Sequence, residues 1–176
     1  FKPFVYLAAI EAGYTPASVV LDAPFVIDQG GDLGVWKPEN YGREFGGPAT
    51  LRFGIEKSRN LMTVRLANII GMNQVLDVAK RFGIGTFEPL LSIALGSGET
   101  TLLKLTTAYA MLINGGKRIS PALIERIQDR DGRTILRRDK RACRSCQGPL
   151  EASPIAPRLI DDRPRVTDVA TAFQVT

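Results

Sequence analysis

Glycine cuts this chain into a series of short apolar helices, and that punctuation limits its fold more than any other feature. Phe1 to Ala12 carries Phe4, Val5, Leu7, Ala8 and Ile10 and is followed by Gly13. Leu61 to Gly71 places Leu61, Val64, Leu66 and Ile69/Ile70 at helical spacing, and Met72 to Phe82 runs on to Gly83. "TTLLKLTTAYAMLINGG" begins with Thr100 or Thr101 as its cap and closes on Gly115-Gly116. A threonine oxygen satisfies the free N–H groups at a helix start, and glycine takes the left-handed backbone that ends a helix. Pro48 and Thr50 open a further short helix to Lys57, and Val166 to Thr176 starts a last one. No apolar run reaches the ~20 residues needed to cross a bilayer.

Two stretches between the helices read differently. Residues 14 to 49 look like one long loop, rich in Gly and Pro and holding the only Trp. A loop of that length inside a compact domain is functional or packed on itself. Within it, Trp36, Asn40 and Tyr41 read as packing anchors in preference to substrate contacts. In "ALIERIQDRDGRTIL", Ile124, Ile127 and Ile135 flank Asp131-Gly132, a hairpin turn signal. "ALGSGE" reads as a tight turn before a capped helix, because its Gly-x-Gly lacks the strand-turn-helix context of a phosphate cradle. The expected class is therefore α+β, helix-dominated, with one β-hairpin near residues 122-137.

Charge is concentrated late in the chain. Of a net +5, the segment Lys117 to Arg165 carries 13 Lys/Arg and 7 Asp/Glu, so the remainder is about neutral. A basic segment fits nucleic acid, an anionic membrane surface or a solvated face. No aromatic residue interrupts it, which removes the stacking platform that single strands need, so no nucleic-acid partner is expected. The two cysteines, Cys143 and Cys146, fall in this segment. Alone and without a histidine in the chain they cannot complete a four-ligand zinc site. In an oxidising compartment they would close a local disulfide; free thiols are the alternative. No metal or cofactor site is read from the sequence.

The absence of histidine also excludes Ser-His-Asp and Cys-His catalysis. A serine enzyme without histidine needs another base, and lysine is the usual one. It works when partial burial favours the neutral amine. A Ser three residues before a Lys at a helix N-terminus lies on the same face, with the helix dipole favouring a developing alkoxide. "FKPFVYLAA" supplies the lysine half of such a device. It resembles the segment after the nucleophile in the transpeptidase domain of class A penicillin-binding proteins, where Ser-x-x-Lys reads on as Pro-Phe. "DAPFVI", "WKPENYGREFGGPATLRFGIEKSRNLMTVRLANIIG", "RFGIG", "IALGSGETTLLKLTTAYAMLINGG" and "IERIQDRDGRTIL" resemble that domain in the same order. The likeness covers nearly all of residues 1 to 136 and the final helix, and is faint over 137 to 165.

The resemblance implies a fold and a set of roles. Residues 1-176 would be part of a penicillin-binding/serine β-lactamase-like transpeptidase domain, with 137-165 a charged, Pro-rich loop within it. Lys2 would be the motif lysine, with the nucleophilic serine two positions before Phe1. Ser58-Arg59-Asn60 would be the second motif, Ser-x-Asn. Ser58 would relay a proton between Lys2 and the leaving amine, and Asn60 would bind the substrate amide and Lys2. The competing readings are a helix-surface lysine for Lys2 and a helix-cap turn for Ser58 and Asn60. Gly96 to Glu99 could border the groove. The Lys-Thr-Gly motif does not occur, nor do the strands that would follow the last helix. The first residues read as the inside of a helix, which is expected of a piece of a longer protein, inactive alone.

The implied parent cross-links peptidoglycan stem peptides, draws on lipid-linked precursors and is acylated by β-lactams. It would be anchored by an N-terminal helix on the periplasmic side of the bacterial inner membrane. A serine β-lactamase-like hydrolase and a non-catalytic binding or scaffold module are the alternatives.

Overall fold

A computed structural model describes residues 1–28, 30–31, 34–141, 143 and 159–176. The chain divides into two compact units, Phe1–Arg118 with Arg165–Thr176, and Ile119–Pro164. The first is built around helix α1, Lys2–Glu11, whose Phe4, Val5, Tyr6, Leu7, Ala8 and Ala9 are all buried. A helix apolar on every side belongs at the centre of a bundle. It packs on α2 (Leu51–Glu56), α3 (Asn60–Ile70), α4 (Met72–Arg81) and α6 (Val169–Val175). Phe4 meets Phe82 and Tyr109 edge-on, both at 5.4 Å between ring centres. Tyr109 comes from α5, Leu102–Ile113.

The expected helices form within a residue or two of their predicted ends. Thr101 caps α5, its hydroxyl accepting from the Lys104 N–H. Thr50 caps α2 in the same way, accepting from Phe53. The last helix starts later than the sequence indicates. Asp168 caps it by accepting from Ala170 and Thr171, while Val166 donates its N–H to Gly116 O and lies in a bend ahead of the helix.

Residues 14 to 49 are not simply loop. They hold β1 (Val19–Asp22), β2 (Ile27–Asp28), β3 (Val35–Trp36) and most of β4 (Gly47–Thr50). β1 and β4 pair antiparallel from Val19↔Thr50 to Asp22↔Gly47, and β2 pairs with β3 through Ile27↔Trp36 and Asp28↔Val35. The sequence hides β4 because Gly-Pro-Ala-Thr has little strand propensity; pairing with β1 imposes the conformation. Of the three supposed anchors, Asn40 is buried and Trp36 half-buried. Tyr41 is fully exposed, because it sits in the turn closed by Arg43 N–H to Asn40 O, and so it anchors nothing.

In the second unit, β5 (Arg126–Gln128) and β6 (Thr134–Arg137) form the predicted hairpin, with Ile127 opposite Leu136. Asp129 Oδ1 accepts from the N–H groups of Asp131 and Arg133, and Gly132 takes φ +80° in the turn. Cys143 is disulfide-bonded and forms an isolated bridge with Leu159. Cys146 lies outside the described residues, with the rest of 144–158 and residue 142.

Candidate active site

Lys2 stands in the first turn of α1, next to Pro3, whose missing N–H costs nothing at a helix start. The buried apolar face that begins two residues later fixes the backbone from which Lys2 projects. Phe1 meets Phe87 edge-on at 6.0 Å, and Phe87 lies over two glycines. A Cβ on Gly85 or Gly98 would come within 2.7 Å of that ring. A Cβ on Gly96 would stand 3.6 Å from Phe1 Cβ, so the predicted tight turn lies against the start of α1.

The Lys2 ammonium reaches across to the α2–α3 junction. Nζ donates to Ser58 O at 2.6 Å, to Ser58 Oγ at 2.9 Å and to Asn60 Oδ1 at 2.6 Å. The three acceptors match the three N–H bonds of an ammonium. All of them are neutral, and no carboxylate among the described residues pairs with Lys2. Partial burial holds its pKa below the ordinary lysine value. With no nearby charge to oppose that, the neutral amine becomes more accessible.

Ser58 has φ +51°, a left-handed conformation in a residue that is not glycine. It ends α2 in a Schellman arrangement. Arg59 N–H bonds to Gly54 O at 2.9 Å, and Ser58 N–H to Ile55 O at 3.1 Å. Glycine normally fills that position. A side chain there costs roughly 1–2 kcal/mol. The conformation turns both Ser58 O and Ser58 Oγ toward Lys2.

Neither Ser58 nor Asn60 caps α3. That helix begins with Arg59 at its N-cap and has no side-chain cap of its own. Its free Leu61 N–H is taken instead by Asn40 Oδ1, at 3.2 Å, from the long segment before α2. Asn60 is thereby left to accept from Lys2, and its Nδ2 donates to Glu39 O at 2.8 Å.

Behind the turn lies a carboxylate that the sequence reading did not single out. Asp22, fully buried, sits at the inward-facing end of β1. Its Oδ1 accepts from Asn40 Nδ2 at 2.8 Å, and its Oδ2 from Gly46 N–H at 2.9 Å and Arg59 Nε at 2.7 Å. Arg59 Nη2 also bonds to Glu44 O at 2.6 Å. Burial raises the Asp22 pKa, but the bonds from Asn40, Gly46 and Arg59 outweigh it and hold the carboxyl below the usual carboxylate range. The available signal was the alternation of Val19-Val20-Leu21-Asp22, which puts an acid where β1 faces the core. Among the described residues no cluster of three or more His, Cys, Asp or Glu is placed to hold a metal ion.

The chain belongs to the family of penicillin binding protein transpeptidase domains, whose model matches residues 1–155. It is 46% identical over 181 residues to penicillin-binding protein 1A of Rickettsia typhi, covering 99% of this chain and 23% of that protein. It is 41% identical over 166 residues to penicillin-binding protein 1A of Neisseria meningitidis, covering 93% of this chain and 20% of that protein. The crystal structure of penicillin-binding protein 1A from Haemophilus influenzae superposes with a TM-score of 0.82 at 32% identity, over 99% of this chain and 28% of that one. The chain thus spans about a fifth of the length of the curated relatives it matches.

Proposed function

We propose that this chain is part of a peptidoglycan D,D-transpeptidase, and that Lys2, Ser58 and Asn60 are the parts of its acyl-transfer site found here. The observation that carries this reading is the single ammonium shared by Ser58 O, Ser58 Oγ and Asn60 Oδ1. Membership of the transpeptidase family supports it. The nucleophile is a serine two positions before Phe1, one helical turn from Lys2 and on its face.

The chemistry follows from which atoms can give or take a proton. Ser58 O and Asn60 Oδ1 only accept, so they fix two N–H bonds of Lys2. Ser58 Oγ can accept or donate, so it can take a proton from the Lys2 ammonium and hand one on, while the lone pair of the neutral amine faces the nucleophile. The neutral amine takes the proton of the nucleophilic hydroxyl as its oxygen attacks the penultimate D-Ala carbonyl of a stem peptide. The C–N bond to the terminal D-Ala then breaks. Ser58 passes a proton from Lys2 to that leaving amine, and the acyl group stays on the serine as an ester. The amine of a neighbouring stem peptide attacks the ester, loses a proton to the same pair and leaves a new amide and a free serine. A β-lactam enters by the first half of this route: its ring amide opens and the ester remains. Asn60 holds the substrate amide beside the bond that breaks.

On this reading residues 1–176 form part of one transpeptidase domain, and residues 137–165 are a charged loop within it. The parent protein is held on the periplasmic side of the inner membrane and receives its stem peptides on lipid-linked precursors. Labelling the complete protein with a fluorescent penicillin tests the assignment. Lys2→Ala is expected to abolish acylation; labelling at the unsubstituted rate would remove Lys2 from the mechanism.

A further inference from the structure

A buried carboxylate is costly at a position where β1 would otherwise place a hydrophobe. Asp22 has no exposed surface, yet it is ionised and fully bonded. All its partners belong to one small region. Arg59 lies between Ser58 and Asn60 in the turn itself. Asn40 binds Asp22 and Glu44 O through one end of its amide and the first turn of α3 through the other. Gly46 N–H and Glu44 O come from the same segment, and a Cβ on Gly46 would stand 3.1 Å from Asp22 Oδ2. Residues 39 to 46 therefore wrap the turn, with Glu39 O also holding Asn60. A left-handed, non-glycine backbone persists only where its surroundings over-determine it. Around Ser58 this network supplies that constraint, because Arg59 can reach Asp22 only while its neighbours turn the other way, toward Lys2.

We propose that Asp22 is a positioning residue of the site: through Arg59 and Asn40 its carboxylate holds the Ser58–Asn60 turn in the form that receives the Lys2 ammonium. The inference rests on the acyl-transfer reading of Lys2, Ser58 and Asn60. Asp22 touches no substrate and moves no proton. Its effect falls on the rate of the covalent step, since a displacement of about 1 Å at reacting groups can cost ~100-fold.

The test uses the complete penicillin-binding protein, with benzylpenicillin as the acylating probe over a range of concentrations. The acylation rate constant is thereby separated from the dissociation constant of the non-covalent complex. Asp22→Asn is expected to lower the rate constant by about ten- to hundredfold and to change the dissociation constant by less than about threefold. Val75→Ala, a core substitution on α4, serves as the comparison for general destabilisation. It is expected to lower the melting temperature and leave the rate constant within about threefold at a temperature where the protein is folded. Should Asp22→Asn fail to fold, Arg59→Lys keeps the cation, loses the Nε donor and is expected to show the same selective loss. A rate constant within threefold of the unsubstituted protein would overturn the proposal, as would equal losses in Asp22→Asn and Val75→Ala. Lys2→Ala separates the two layers. If it acylates normally, the acyl-transfer reading itself fails; if it is inert while Asp22→Asn is fully active, only the role of Asp22 fails.

Discussion

Asp22 and Asp139 each hold an arginine in a short ion pair, and the two pairs have opposite consequences. Asp22 and Arg59 come from elements 37 residues apart, with side chains 0% and 17% exposed. Asp139 and Arg141 are two residues apart, with side chains 37% and 34% exposed. The local pair is geometrically excellent: Arg141 Nε and Nη2 reach the two carboxylate oxygens at 2.9 and 2.6 Å. Asp161 and Arg163 repeat the arrangement at 2.8 and 2.7 Å. Each such pair closes within a few residues of chain and stays partly exposed, so by itself it contributes little to stability. The buried pair forms only when β1, the segment from residue 39 to 46 and the α2–α3 turn are all in place. Good geometry is common to both; what separates them is desolvation and the length of chain each pair ties together.

Removing one arginine from each pair separates the two. Arg59→Ala strands a buried carboxylate, and a loss of about 3–5 kcal/mol in the urea-unfolding free energy of the transpeptidase domain is expected. An effect below 1 kcal/mol would show that Asp22 finds water or another donor. Replacing both partners, as Asp22→Val with Arg59→Met, removes the charge and its counter-charge together. Most of the lost stability should return, because apolar residues of similar volume substitute well for a buried pair. Penicillin acylation should stay impaired, and its recovery would mean that packing alone holds the turn. Ser58→Gly relieves the left-handed strain and is expected to raise stability by about 1 kcal/mol while removing the hydroxyl next to Lys2. A fall in stability would place the strain elsewhere. The smallest effect is the mirror of the first: Arg141→Ala should leave the melting temperature unchanged, and a clear drop would give the exposed pair a role that its geometry does not indicate.

The helices were legible because their causes are local. Apolar spacing and a closing glycine define α1, α3, α4 and α5, and the Asp131-Gly132 signal finds the β5–β6 hairpin. Lys2, Ser58 and Asn60 were singled out by resemblance to a family motif, and the fold brings Ser58 and Asn60 within hydrogen-bond reach of Lys2. What the sequence concealed is set by distant partners. β4 is extended because β1 lies beside it, although its own residues disfavour a strand. Tyr41 looked like an anchor by residue type, but its turn faces it outward. The left-handed Ser58 has no glycine to announce it. Arg59, the unspecified middle residue of Ser-x-Asn, is tied to an aspartate 37 positions earlier, a link that no local pattern carries.

Intact mass after incubation with benzylpenicillin tests whether Lys2 activates a serine just upstream of it. The protein is a form of this chain extended at both ends through the family's remaining motifs, with and without Lys2→Ala. One covalent penicilloyl adduct is expected on the extended chain, mapping to the serine two positions before Phe1, and none on the Lys2→Ala form. An adduct on Ser58, or one that forms equally fast without Lys2, would contradict the account.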